Sequence, residues 1–138
     1  MPAHDTYHDA VRHALEKDGW TITHDPFTVS VGRREVFMDV GAERVLAAEK
    51  DTERIVVEIK SFGGPSDVQD LERAIGQYVF YRIILQEVGE DRRLFAAVPQ
   101  DAYDGILSEP IARPVVEGLA MLLLVFDPGQ EVIIRWVT

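Results

Sequence analysis

Glu58 and Lys60 stand two residues apart in the run Ile55-Val56-Val57-Glu58-Ile59-Lys60, which is otherwise entirely apolar. In an extended strand successive side chains point to opposite faces, so Val56, Glu58 and Lys60 share one side while Ile55, Val57 and Ile59 take the other. A carboxylate and an ammonium on a strand of that composition need partners, because an ion removed from water costs several kcal/mol unless it is paired or bound to a metal. Asp39 supplies a second acid, between Met38 and Val40 near the end of the preceding extended segment. Two carboxylates converging on neighbouring strands, with a lysine just past one of them, can hold a hard divalent cation and orient a water for attack on a phosphodiester. A plain ion pair at the strand's end is the alternative, and an acid-x-Lys triplet alone does not decide between them, since it arises about once in a chain of this length at average composition. Scarcity sets Lys60 apart: the other lysines, Lys17 and Lys50, fall at a predicted helix end and in a predicted turn.

Further groups can address the same place. Gln77 and Tyr81 lie one turn apart on a predicted helix, about 100° from the centre of its apolar stripe, either facing the open end of the sheet or forming a half-exposed polar edge. His8 lies within about 60° of Val11 on the first helix and can face the site, whereas Asp9 points nearly opposite; a hydrogen-bonded packing histidine is the other reading. The chain has no cysteine, which excludes disulfides, thiolate nucleophiles and cysteine-held zinc or iron-sulfur centres and leaves Mg²⁺ or Mn²⁺ on oxygen ligands as the expected cofactor. GxSxG, GxxxxGK[ST] and HExxH are all absent.

The elements that must position these residues follow from periodicity. Tyr7, Val11, Ala14 and Leu15 predict a helix from about Asp5 to Asp18, ending at Gly19. Extended pieces are predicted at Trp20–Thr23 and Phe27–Val31, then a strand over about Glu35–Val40. Val45–Glu49 and Arg54–Lys60 flank Lys50-Asp51-Thr52-Glu53 as a hairpin, whose second strand is apolar enough to be central. Ser66-Asp67-Val68-Gln69 has capping-box spacing and opens a helix to about Gln86, with Val68, Leu71, Ile75, Tyr78 and Val79 as its buried stripe. A buried strand at Leu94–Val98, a helix around Ala102–Leu107 and a segment punctuated by Pro110 and Pro114 follow. Strands at Met121–Phe126 and Val132–Val137 then flank Asp127-Pro128-Gly129-Gln130, which suits a type II turn. This order predicts an α/β fold, a mixed sheet with helices on both faces. With 138 residues, 46% of them hydrophobic, and a mean hydropathy of −0.05, a single domain over residues 1–138 is expected.

Charge bears on partners. Fourteen basic residues against 24 acidic ones leave a net charge of −10 and a pI near 4.7, the opposite of the basic footprint of a protein that holds nucleic acid unaided. Work on DNA would need concentrated arginines, such as Arg33, Arg34, Arg73 and Arg82, or a partner with positive surface. The longest apolar run, Leu119–Phe126, is too short to cross a bilayer, and no leader precedes it, so a cytoplasmic chain without membrane contact is expected.

Phe37-Met38-Asp39-Val40, Val56-Val57-Glu58-Ile59-Lys60-Ser61 and Gln77-Tyr78-Val79-Phe80-Tyr81 together resemble the PD-(D/E)xK nuclease signature followed by the QxxxY motif of some of its branches. The chain as a whole resembles the XisH family, the fdxN-element excision controlling factors. That likeness runs through His8-Asp9-Ala10-Val11, Asp18-Gly19-Trp20-Thr21-Ile22-Thr23-His24-Asp25-Pro26, Asp39-Val40-Gly41-Ala42-Glu43 and Val57-Glu58-Ile59-Lys60-Ser61-Phe62. The resemblance implies a restriction-endonuclease-like mixed β-sheet flanked by helices, a part in programmed DNA rearrangement, and an XisI-like companion; a homo-oligomer is also compatible with it. It assigns Asp39 and Glu58 as metal carboxylates, Lys60 as the residue that positions water or steadies transition-state charge, and Gln77 and Tyr81 as an accessory pair. Met38 replaces the signature proline, a common and harmless change, whereas His8 stands where many nuclease branches carry glutamate, a departure that implies lower metal affinity or a different cation and bears on catalysis. A regulatory or protein-interaction module that keeps the fold without cleaving is the alternative function.

Overall fold

The computed structural model describes residues 6–46 and 51–138. Helix α1 (His8–Lys17) leads into β1 (Thr21–His24), β2 (Phe27–Val31), β3 (Arg34–Met38), β4 (Val40–Leu46) and β5 (Asp51–Ile59), followed by the long helix α2 (Asp67–Glu87). After it come β6 (Arg93–Pro99), α3 (Gln100–Asp104), a 3-10 turn at Ile106–Ser108, α4 (Arg113–Gly118), β7 (Leu122–Asp127) and β8 (Val132–Val137). Six strands form one mixed sheet in the order β1-β4-β5-β6-β7-β8, and β2 and β3 form a separate two-stranded sheet. Strands β5, β6 and β7 run parallel at the centre, while β1, β4 and β8 pair antiparallel at the flanks. The mixed sheet flanked by helices is therefore the architecture the element order predicts. No described helix is long and apolar enough to cross a membrane.

Alternation along β5 divides the core as its sequence requires. Ile55, Val57 and Ile59 pack with Val11 and Leu15 of α1 on one face. Val56 packs on the other with Tyr78, Tyr81 and Leu85 of α2 and with Phe27, Val29 and Met38 of the small sheet. Further along that face Val98 and Val125 meet Leu71, Ile106 and Ala112. Tyr78 locks α2 to the sheet: its hydroxyl donates to the Leu94 carbonyl at 2.9 Å and accepts from the Leu122 N–H at 3.1 Å, so one buried side chain joins β6 to β7.

Several boundaries differ from the sequence expectation, each for a local reason. The strand expected over Glu35–Val40 is two strands, because the chain leaves the small sheet after Met38, bends at Asp39, and enters the main sheet at Val40. The hairpin is longer than predicted, pairing from Val40↔Val57 out to Leu46↔Asp51. Asp51, Thr52 and Glu53 are strand residues rather than turn, and an Arg44 to Glu53 bond of 3.1 Å across the strands offsets the polarity of that stretch. Lys50 and the predicted strand end at 47–49 lie outside the described residues, as does the predicted helix start at Asp5. The predicted helix around Ala102–Leu107 splits at Gly105 into α3 and the 3-10 turn, and the proline-punctuated segment contains α4 with Pro114 in its first turn.

Helix α2 begins as expected, with the Ser66 hydroxyl accepting from the Gln69 N–H at 3.3 Å. Its buried face, however, is Leu71, Ala74, Tyr78, Tyr81 and Leu85, and Val68 is 40% exposed. The helix is rotated from the purely apolar stripe because both tyrosine hydroxyls find backbone carbonyls on strands beneath them. The type II turn is also absent: positive φ falls at Glu131 (55°) and not at Gly129, since the Asp127 carboxylate accepts the Gly129 and Gln130 N–H groups and the Glu131 N–H closes back on the Asp127 carbonyl at 2.8 Å.

Candidate functional site

The β4–β5 ladder explains why Asp39 and Glu58 meet. In this antiparallel pair Val40 lies opposite Val57, so the next register position places Asp39 opposite Glu58. At that position side chains replace the ladder: Glu58 Oε1 accepts the Asp39 backbone N–H at 3.0 Å, and Asp39 Oδ2 accepts the Ile59 backbone N–H at 2.8 Å. Each carboxylate thus caps the other strand, which fixes both acids side by side on the face covered by α2. Lys60 continues the parallel pairing with β6 through its N–H to the Ala97 carbonyl at 2.8 Å, and its Nζ stands 3.8 Å from Glu58 Oε2.

The electrostatics of this arrangement are unbalanced. The Glu58 side chain is 6% exposed and that of Lys60 is 23% exposed. Burial pushes the Glu58 carboxyl up to about 8, the charge of Asp39 pushes the same way, and Lys60 offsets only part of this. With both acids ionised, one partly hydrated ammonium leaves a shortage of positive charge, and a divalent cation would fit that shortage. The donor set suits it: Asp39 Oδ1 and Glu58 Oε2 are the oxygens not committed to the strand-capping bonds, and both are hard ligands of the kind Mg²⁺ and Mn²⁺ prefer. Among the described residues no cluster of three or more His, Asp or Glu side chains is placed to hold an ion, so a cation here would keep most of its waters.

Tyr81 and Gln77 join the site through the backbone that precedes Asp39. The Tyr81 hydroxyl donates to the Phe37 carbonyl at 3.3 Å and accepts from Gln77 Nε2 at 2.8 Å. Burial raises the Tyr81 phenol to about 12, with the charge of Glu58 adding to the effect, so it stays a neutral donor. Gln77 Oε1 is buried and has no hydrogen-bond partner among the described residues.

His8 is held elsewhere. Its Nε2 bonds the Asp25 carboxylate at 2.9 Å, and Arg12 donates to the same carboxylate from one turn further along α1. Burial works against ionisation of Asp25, but the bonds from His8 and Arg12 outweigh it and hold that carboxyl below its ordinary range. The group sequence reasoning missed is therefore Asp25, whose only signal was its place in the Trp20–Pro26 run. Of the four arginines with which a cationic patch could be built, Arg82 donates to the Leu119 carbonyl and lies over the Tyr78 ring, Arg33 and Arg34 are exposed at the β2–β3 turn, and Arg73 alone stands near Lys60. Lys60 and Arg73 line an open pocket of about 240 Å³ with Ser61, Gly63, Gly64 and Asp70. The Gly64 N–H donates to Asp70 Oδ2 at 3.0 Å, and a Cβ at Gly64 would come within 2.8 Å of that carboxylate, which would have to shift to admit it.

A family profile described as XisH protein matches residues 1–134. Two solved structures are similar over nearly the whole chain. A crystal structure of an XisH family protein from Nostoc punctiforme PCC 73102 is 36% identical with a TM-score of 0.86, the match covering 97% of this chain and 100% of that one. A crystal structure of an fdxN element excision controlling factor protein from Anabaena variabilis is 36% identical with a TM-score of 0.87, covering 98% and 100%. No curated protein matches the chain.

Proposed function

The chain belongs to the XisH family, and from that membership and the geometry of its carboxylate pair we propose a metal-dependent DNA-processing factor of the PD-(D/E)xK type, which controls or assists excision of a DNA element with an XisI-like partner. The relative from Anabaena variabilis carries the excision-controlling description. The observation that supports a chemical role is the register-opposed pair Asp39 and Glu58, with the buried Glu58 carboxyl raised to about 8 and Lys60 Nζ at 3.8 Å. Burial and a like-charged neighbour acting together on one carboxyl are the means by which functional sites shift their acids, and that combination supports the reading.

Asp39 and Glu58 would hold the cation. When bound it supplies Lewis acidity toward a phosphoryl oxygen and lowers the cost of ionising a water. Lys60 presents its ammonium beside Glu58, where it orients the attacking water and stabilises charge building on the phosphoryl oxygens. Gln77 and Tyr81 fix the Phe37 carbonyl and with it the approach of the chain to Asp39. The engagement of His8 with Asp25 favours a second reading, because it ties up the group that stands at a further ligand position in the signature. That reading is a regulatory module that binds without turnover, and cleavage distinguishes the two. The deciding experiment incubates the protein, with and without its partner, with supercoiled and branched DNA in Mg²⁺ or Mn²⁺; nicked product supports the nuclease reading, and intact DNA throughout supports the regulatory one.

Partner dependence follows from charge. With a net charge of −10 and, of the four candidate arginines, only Arg73 beside Lys60, the isolated chain is expected to bind duplex DNA with Kd above roughly 10⁻⁶ M at physiological salt, the range of non-specific binders. A companion contributing positive surface raises the association rate and slows dissociation. Fluorescence anisotropy at fixed salt measures both species. Tighter binding by the complex is expected, and nanomolar binding by the isolated chain contradicts the requirement for a partner.

A further inference from the structure

The outward face of α2 is built unlike a solvated helix face. Phe80 is 53% exposed and Ile83 54%, and Phe37 of β3, whose carbonyl receives the Tyr81 hydroxyl, is 41% exposed. Gly76 occupies the same face one turn before Phe80, and nothing lies within 4 Å of the position a Cβ would take. A glycine inside a helix is less favourable than alanine, and here neither a turn, a positive φ nor a crowded neighbour within the chain calls for it. Absence of a side chain at that point admits another backbone.

Charge identifies the occupant. Arg73 and Glu87 lie seven residues before and after Phe80, which places the three nearly on one line, with each charge about 10.5 Å from the ring along the axis. Both are exposed, and neither has an ion-pair partner among the described residues. Glu87 closes the helix, a position where an acid faces the negative end of the helix dipole, and no basic residue stands in that last turn. An antiparallel copy of the same helix, crossing at Phe80, supplies what is missing: Arg73 of each copy meets Glu87 of the other, and Gly76 receives the Ile83–Ile84 pair. A surface whose residue i meets j while j meets i is the signature of a two-fold interface.

We propose that this chain pairs with a second copy of itself through α2, antiparallel about Phe80, with reciprocal Arg73–Glu87 ion pairs at its ends. The assignment does not depend on metal binding or on action on DNA. It also sets each interface directly behind a candidate site, since the Phe80 and Tyr81 rings are 5.9 Å apart.

Sedimentation velocity of the full chain tests it. The wild type is expected to sediment as a dimer of 15.5 kDa chains, and Phe80→Asp as a monomer with unchanged circular dichroism. Arg73→Glu and Glu87→Arg are each expected to raise the dimer Kd roughly tenfold, because two end pairs become two like-charge contacts. An equimolar mixture of these two variants is expected to restore the wild-type Kd. In a mixed pair the acid introduced by the first substitution faces the base introduced by the second at one end, and the native Arg73 and Glu87 meet at the other. A monomeric wild type at the highest soluble concentration, a dimer indifferent to Phe80→Asp, or charge variants that fail to rescue each other overturns the proposal. So does a wild type that is monomeric alone and uses Phe80 only to bind a different protein.

Discussion

Raising the pH of the metal-free protein from 4.5 to about 8, the interval between the ordinary and the raised Glu58 carboxyl, is expected to reduce its stability progressively through this group, on the order of 1 kcal/mol per pH unit. In the unfolded chain Glu58 releases its proton near 4.5, whereas in the folded chain burial and the Asp39 charge keep it protonated to about 8. The unfolded state therefore binds fewer protons across that interval, and stability is full below it and lost as pH rises through it. Glu58→Gln removes the titration while keeping an oxygen to accept the Asp39 N–H. The variant is thus expected to be more stable than the wild type at pH 8 and to lose the wild type's slope, with other titrating groups cancelling in the comparison. Added Mn²⁺ is expected to recover the wild type at that pH by binding the folded state alone, and to leave the variant unmoved. Urea midpoints at a series of pH values, with and without metal, give the answer. Parallel profiles for the two proteins would mean that Glu58 is not strained by its setting.

The second large effect concerns Lys60. If the wild type nicks DNA with its partner, Lys60→Ala is expected to lower the rate on the order of 10²–10³, the cost of deleting one preorganised group that meets developing charge. Metal affinity is expected to move the other way. The ammonium sits 3.8 Å from Glu58 Oε2, where it favours ionisation of that carboxyl but repels a cation held there, so once the pH is high enough for Glu58 to ionise without its help the variant is expected to bind Mn²⁺ at least as tightly as the wild type. Loss of rate with metal binding retained separates a role in chemistry from a role in assembling the site. A variant that cleaves at the wild-type rate would remove Lys60 from the reaction.

The parts of the fold that follow from local pattern were legible in the sequence. Alternation from Ile55 to Lys60 assigns Glu58 and Lys60 to one face, and Ser66 announces α2, because period and capping act within a few residues. Asp39 was legible as a partner of Glu58 but not as a break, since Phe37-Met38-Asp39-Val40 reads as one strand and only the separation of the two sheets bends the chain there. Tyr81 was read as a flank of α2 because its hydroxyl reaches a carbonyl 44 residues away, a contact without local signature. His8 shows the same limit: its position on α1 was legible, while the Asp25 carboxylate that holds it arrives with the β1–β2 connection. The wider hairpin depends likewise on a cross-strand pair, Arg44 with Glu53, that turn propensity ignores.

Calorimetric titration of Mn²⁺ into the wild type and into the double variant Asp39→Ala with Glu58→Ala tests the central claim most directly. Two carboxylates leave the ion most of its waters, so weak single-site binding is predicted for the wild type, and no binding for the double variant. A wild-type response that survives removal of both acids would place the metal elsewhere and contradict the account.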